Sequence, residues 1–221
     1  MRKIKKGKKK YVVLFILVFI GIIIGLLYLL SKAKIKNIYI YDNKILKDQE
    51  IIELANLEEY PSFLKTPCYK VKKKIKANEY VKDVKVTKGF LSINIYITEH
   101  DPLFINGLNN KVVLENGEEI NNTKNLTLPT LINAVEEEEY KKFINKFPKM
   151  NDSIREKISE IKYDPNDYDK DRFLFLMNDK NYVYVTLTKI DYINKYDEMV
   201  TKFEGKNGIL YLDSGNYFEI K

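Results

Sequence analysis

From Tyr11 to Leu30 the chain carries 20 consecutive residues without a charge or a strongly polar side chain. At 1.5 Å per residue a helix of that length spans about 30 Å, the thickness of a bilayer core. Tyr11 and Tyr28 lie near its two ends, where interfacial aromatics belong. A cleaved signal peptide would have an apolar region of about 7–15 residues followed by a small-x-small site. This run is longer, and Ser31-Lys32-Ala33 is a poor cleavage site, so a retained transmembrane helix over residues 11–31 is expected.

Beyond the apolar run the pattern changes to short strands and helices. Ile35, Ile38 and Ile40, with Tyr39 and Tyr41 alternating, predict a first strand that ends at the turn pair Asp42-Asn43. Asp48 is placed to cap a short helix, with Ile51, Leu54 and Ala55 on its inner face and Glu50 in the first turn. Pro61 and Pro67 bracket a loop. A second helix over 69–78 turns Val71 and Ile75 inward and Lys70, Lys72, Lys73, Lys74 and Lys76 mostly outward. Val84 and Val86 then alternate with Lys85 and Thr87, Lys88-Gly89 supplies a turn, and Leu91, Ile93, Ile95 and Ile97 alternate with polar partners. The order is β-α-α-β-β over about 65 residues, a plausible size for a small domain.

Pro102 and the polar stretch around Gly107 mark a boundary. Val112 to Leu114 predict a strand before the Asn116-Gly117 turn. Residues 136–147 predict a helix whose Glu136 to Glu139 suit a positive N-terminal dipole and face water. A helix or turn holds Ile154 and Ile158, before a strand near Ile161 to Tyr163. Phe173 to Met177 and Tyr182 to Leu187 form a hairpin across Asn178-Asp179-Lys180-Asn181. A helix over 189–204 places Ile190, Ile193, Val200 and Phe203 on one side and stops at Gly205 and Gly208. The last strands are Ile209 to Leu212 and Tyr217 to Ile220, divided by Ser214-Gly215-Asn216. The fold class is therefore α+β: one N-terminal transmembrane helix, a β-α-α-β-β domain and a mixed α/β sheet domain.

Charge refines the picture. The chain has 38 Lys+Arg against 31 Asp+Glu. Residues 1–10 hold Arg2, Lys3, Lys5, Lys6, Lys8, Lys9 and Lys10 and no acid, so the body is neutral. A balanced body lacks the electrostatic footprint of a nucleic-acid binder. The heavier basic flank is expected in the cytoplasm and the C-terminal part outside. Each tail charge adds about 1 kcal/mol of attraction to anionic lipid.

Candidate chemistry is sparse. Cys68 is the only cysteine and His100 the only histidine, too few for a disulfide framework or a zinc cluster. Thr66-Pro67-Cys68 is faintly similar to a sortase nucleophile region. A sortase needs its thiol activated by a nearby histidine, and His100 instead reads as a surface residue at a domain junction. Consecutive carboxylates at Glu136 to Glu139 cannot converge on one ion. The lysines from Lys70 to Lys76 read as a wet helix face, with lipid or wall polymer as the sharper alternative. No phosphate loop or nucleophile elbow is present, and neither a cofactor nor a small-molecule substrate is expected.

The anchor, the β-α-α-β-β unit and the β-rich second half together resemble the FtsQ/DivIB family of bacterial cell-division proteins. The likeness is carried by Ile35-Lys36-Asn37-Ile38-Tyr39-Ile40 with Asp42-Asn43, by Val81-Lys82-Asp83-Val84-Lys85-Val86 with Leu91-Ser92-Ile93-Asn94-Ile95, and by Glu99-His100-Asp101-Pro102, similar to the Glu-x-x-Pro junction of that family. Glu115-Asn116-Gly117, Leu128-Pro129 and Gly208-Ile209-Leu210-Tyr211-Leu212-Asp213 continue it. His100, where the family more often carries Arg or Lys, and Glu115, where Asp is common, depart from the pattern.

The resemblance implies a cytoplasmic tail at 1–10, the membrane helix at 11–31, a POTRA domain at 33–101 and a β-domain at 102–221. It implies a non-catalytic scaffold of the septal wall-synthesis machinery, in the cell membrane with its N-terminus inside and concentrated at the septum. The partners implied are the bitopic division proteins FtsL and DivIC (FtsB in other lineages), and in a further version the septal transpeptidase. The family adds a partner strand to the C-terminal sheet edge, which singles out Tyr211, Asp213, Gly215, Tyr217 and Phe218. The alternatives are a POTRA-bearing adaptor in secretion or engulfment, and an extracytoplasmic wall enzyme, which the missing catalytic constellation disfavours.

Overall fold

The computed structural model describes residues 6–221, so Arg2, Lys3 and Lys5 of the basic tail lie outside the described residues. Helix α1 runs Lys6–Lys32, so the helix begins within the basic segment. Its stretch Lys10–Leu29 is long and apolar enough to cross a membrane, and none of it is buried within the protein. A core helix of a soluble protein would be covered; this one leaves its apolar surface for lipid.

The chain divides into two compact units, Met1–Glu99 and His100–Lys221. In the first, β1 (Asn37–Tyr41), α2 (Asp48–Ala55), α3 (Cys68–Ile75), β2 (Val81–Gly89) and β3 (Ser92–Glu99) follow α1. The sheet order is β1-β3-β2, with β1 parallel and β2 antiparallel to β3. The expected β-α-α-β-β order is therefore present. Ile93, Ile95 and Ile97 of β3 are fully covered, together with Ile51 and Ala55 of α2 and Val71 and Ile75 of α3. Each such side chain contributes roughly 1.5–3 kcal/mol relative to exposure.

Four local details differ from expectation. The hairpin turn is Phe90-Leu91, and Lys88-Gly89 complete β2, because Gly89 pairs with Ser92. Leu91 consequently leaves the strand and takes a positive φ of 52°. A bulge between Val81 and Asp83 breaks the alternation of β2. The cap of α2 falls on Lys47, whose N–H donates to Glu50 at 3.0 Å, while Asp48 accepts from the Asn43 amide. Finally, α3 spans Cys68–Ile75, shorter than 69–78 at its C-terminal end, where Lys76 Nζ turns back onto the carbonyls of Val81 and Lys82.

Glu99 closes the first unit. Its carboxylate accepts the N–H groups of Lys44, Ile45 and Leu46, each at 2.8 Å, and so holds the loop that leads from β1 into α2.

The second unit is one nine-stranded sheet among the described residues: β4 (Pro102–Asn106), β5 (Lys111–Leu114), β6 (Glu119–Asn121), β7 (Thr130–Leu131), β8 (Ile158–Tyr163), β9 (Arg172–Met177), β10 (Tyr182–Thr186), β11 (Gly208–Tyr211) and β12 (Tyr217–Ile220). The order is β12-β11-β10-β9-β8-β7-β4-β5-β6. Asn116-Gly117 makes the expected turn, with Gly117 at φ 82°. Helices α4 (Glu137–Lys146), α5 (Asp152–Arg155) and α6 (Tyr196–Val200) bury Phe143, Ile154 and Tyr196 in the same core as Phe173, Phe175, Val183 and Val185.

Three expectations need correction here. The segment 189–204 is not one helix but 3₁₀ turns at Ile190–Lys195 and Thr201–Phe203 flanking α6. Its buried residues Ile190, Ile193 and Tyr196 recur every three positions, which matches the three residues per turn of a 3₁₀ helix. Glu204 (φ 53°) and Gly205 (φ 76°) end it, whereas Gly208 opens β11. Ile158 likewise opens a strand, β8. Glu139 is not a solvated helix start: it is buried, with Oε1 held by Lys142 at 2.7 Å.

Glu99→Ala should leave three backbone donors without their acceptor and cost about 1–3 kcal/mol. Amide exchange at Lys44, Ile45 and Leu46 is expected to accelerate well beyond that of β3.

Candidate partner-binding edge

A strand at the end of a sheet keeps one row of backbone groups unpaired. Among the described residues β12 pairs only with β11, in the register Gly208↔Ile220, Ile209↔Glu219, Leu210↔Phe218 and Tyr211↔Tyr217. The Lys221 N–H donates to Asn207 O at 3.1 Å, which fixes the alternation. Glu219 and Tyr217 then bond to β11, and the backbone groups of Phe218 and Ile220 face the open edge.

The two faces of β12 differ. Inward, the Phe218 ring lies flat on Phe203, with centroids 3.6 Å apart. Gly208 is what permits this approach: a Cβ there would lie 2.0 Å from Glu219 O and 2.8 Å from the Phe218 ring. Outward, Tyr217 is half exposed and stacks on Tyr211 at 4.6 Å, which stacks in turn on Tyr184 at 5.4 Å. The Arg172 guanidinium covers Tyr184 at 4.1 Å, and Lys221 covers Tyr182 at 4.4 Å. The result is a ladder of three tyrosines running to the edge.

Charged groups pin the ladder. Arg172 donates to Asp164 at 2.9 Å, and Lys162 pairs with the same carboxylate at 2.9 Å. Burial pushes Asp164 up, but the hydrogen bonds and charges of Lys162 and Arg172 outweigh it and hold the carboxyl below its usual range. The Tyr211 hydroxyl donates to Glu219 at 3.1 Å; partial burial first, then that carboxylate, pushes the hydroxyl up.

The residues singled out from sequence do not act alike. Tyr211 and Tyr217 meet on the outer face. Phe218 faces the core side. Asp213 is buried, with Ser214 donating to one oxygen at 3.1 Å and Arg172 3.8 Å from the other. Gly215 is exposed in the connecting turn at φ 154°. Sequence reasoning missed Tyr184 and Arg172; the alternation of Tyr182 and Tyr184 with buried Val183 and Val185 carries the signal. Elsewhere, the tail charges Lys6, Lys8, Lys9 and Lys10 belong to the start of α1. His100 is a partly buried residue, not a surface one, because its Nδ1 lies 3.5 Å from Glu115. The two departures from the family pattern thus face each other. Cys68 opens α3, partly exposed.

The opposite edge, β6, is three residues long, and Glu119 on it is tied to Asn106 at 2.8 Å and Asn109 at 2.6 Å. It lacks an aromatic flank comparable to that of β12.

Comparison with known proteins gives consistent relatives. The family model described as a POTRA domain, FtsQ-type, matches residues 33–100. The chain is 27% identical over 230 residues to the cell division protein DivIB of Bacillus subtilis (strain 168), covering 98% of this chain and 88% of that protein. It is 28% identical over 234 residues to the DivIB of Listeria monocytogenes serovar 1/2a, covering 98% and 86%. Among solved structures, the major extracytoplasmic domain of the trans isomer of DivIB from Geobacillus stearothermophilus matches at 19% identity over 47% of this chain and 92% of that chain. Its TM-score is 0.39, too low to bear on the fold.

Two outcomes are expected at the edge. Gly208→Ala should push β12 off β11, seen as loss of amide protection at Tyr217 to Ile220 while β9 and β10 stay protected. Asp164 has a folded value below its unfolded one, so its stabilisation is complete above the ordinary carboxylate range near about 4 and is lost as pH falls through the folded value. Thermal melts of Asp164→Asn should therefore lose part of the acid-side decline seen in the parent.

Proposed function

We propose that the chain is a divisome scaffold of the FtsQ/DivIB family of bacterial cell-division proteins, and that its β12 edge captures an extracytoplasmic strand of a DivIC-like (FtsB-like) bitopic partner, in a complex with an FtsL-like protein. It is a membrane-anchored, non-enzymatic division protein. The finer reading places the basic tail in the cytoplasm, since the heavier Lys/Arg flank stays inside, and everything that follows α1 outside. It takes residues 33–101 as a POTRA domain and 102–221 as a β-domain. It concentrates the protein at the septum, where it would assemble and stabilise the wall-synthesis complex.

The observation that supports this reading most is the pairing of an open edge with the tyrosine ladder at Tyr184, Tyr211 and Tyr217. Strand addition takes its affinity from backbone hydrogen bonds and its specificity from side-chain neighbours. Tyrosines supply large contact area at low entropic cost. Phe218, stacked on Phe203, and Asp213, held by Ser214 and Arg172, act by fixing the strand and its turn. Until a partner arrives, the exposed Glu219 on this short strand and Lys221 just after it restrain self-association.

Ile220→Pro removes a donor that faces the open edge and leaves the β11–β12 bonds in place. It should weaken binding to the DivIC-like partner by about tenfold or more with the protein still folded by circular dichroism. A fusion of a fluorescent protein to the Met1 end, expressed at native level, should form a midcell band that the Ile220→Pro variant forms weakly. Unchanged partner affinity in a folded variant contradicts the edge; an even membrane signal for the parent contradicts the septal role.

A further inference from the structure

We propose that the part of the first unit joined to α1 is a second lipid contact, in which Phe90 and Leu64 enter the headgroup region of the bilayer and Lys32, Lys34, Lys36 and Lys65 meet anionic headgroups. This goes beyond the partner edge and rests only on α1 being a membrane anchor.

Three segments converge there. The Ser62 hydroxyl donates to Ser31 O at 2.6 Å, the Phe63 N–H to Ala33 O at 2.9 Å, and the Ile35 N–H to Pro61 O at 3.1 Å. The Lys36 N–H donates to Leu91 O at 2.7 Å. The loop around Pro61 to Thr66 and the β2–β3 hairpin tip are thus fastened by backbone bonds to the residues that directly continue α1. From Lys32 to Asn37 the chain can extend no more than roughly 18 Å, so these segments stay near the membrane end of the helix. Lys88 braces them internally, its Nζ 4.4 Å from the Phe63 ring centre and bonded to Phe63 O.

The side chains placed there are of interfacial type. Phe90 is 88% exposed and Leu64 43%. A two-residue hairpin tip ordinarily takes Asn-Gly or another turn pair. Here it holds Phe90 and Leu91, with Leu91 forced to φ 52°, a conformation that side chains disfavour. Nothing in the unit's own packing covers Phe90, so this side chain serves neither the turn nor the core. Residues 31–37, 60–67 and 87–92 contain Lys32, Lys34, Lys36, Lys65 and Lys88 and no acid; Glu58 and Glu59 lie just outside. Exposed aromatic and aliphatic groups ringed by lysines, a few residues from a spanning helix, fit a headgroup layer.

The chain has no tryptophan, so single substitutions report alone. Full-length Phe19→Trp, Phe90→Trp and Tyr41→Trp would be reconstituted into vesicles of phosphatidylglycerol and phosphatidylcholine whose acyl chains are brominated both close to the headgroup and near the chain end, so that shallow and deep positions are both read. Emission from Phe19→Trp should be quenched, which establishes the span. Phe90→Trp should lose most of its emission and shift to the blue, more so with phosphatidylglycerol than without it. Tyr41→Trp, at the far end of β1, should stay unquenched. Phe90→Trp as bright and red as Tyr41→Trp, with Phe19→Trp quenched, overturns the lipid contact alone. An unquenched Phe19→Trp overturns the anchor and the contact with it. Quenching of Phe90→Trp that ignores phosphatidylglycerol overturns the part assigned to the lysines.

Discussion

The second unit depends on one seam. Strand β7 is only Thr130–Leu131, yet it is the sole link in the sheet between β4 and β8 among the described residues, pairing in parallel with each. Two residues give few backbone bonds, so the halves of the sheet need something else to stay in one plane. Helix α4 supplies it. Phe143 stacks on Phe173 of β9 at 4.4 Å and meets Phe104 of β4 at 5.3 Å. Phe147, one turn further, contacts Phe104 and Phe175 at 5.8 and 6.3 Å. These aromatic pairs bridge the seam, each adding about 0.5–1.5 kcal/mol beyond its buried area.

That bridge lets the sheet run on through β10 and β11 to a rigid end. Strand β12 is held in place by the Phe203–Phe218 stack on one face and the tyrosine ladder on the other. A preformed strand binds a second strand with less entropic loss than a frayed one. Gly208 is the local condition for this, because the inner stack needs the space its missing side chain leaves. In the first unit Glu99 has a comparable role, gathering three amides at the last residue before the second unit begins.

Much of this was legible in the chain. Period-2 alternation located β3, since Ile93, Ile95 and Ile97 all face the core, and the apolar run located α1. The failures share a cause: tertiary demands override local pattern. Leu91 continued an alternation that the Gly89–Ser92 pairing cut short. The 189–204 segment was expected at a period of 3.6, but its buried residues recur at 3.0. Glu139 belonged to an acidic run whose first members do face water, and only the packing of α4 buries the last. Of the edge, Tyr211, Tyr217 and Phe218 were legible as a group, but their opposite facings were not, and Tyr184 enters only through the parallel register of β10 with β11.

The claim that β12 is a prepared docking strand is tested most directly by residue-resolved amide exchange on the full-length protein, with and without the extracytoplasmic part of its DivIC-like partner. Phe218 and Ile220, whose N–H groups face the open edge, should become strongly protected on binding, while Tyr217 and Glu219, already bonded to β11, should change little. Protection that appears elsewhere and leaves Phe218 and Ile220 as fast as in the free protein would contradict it.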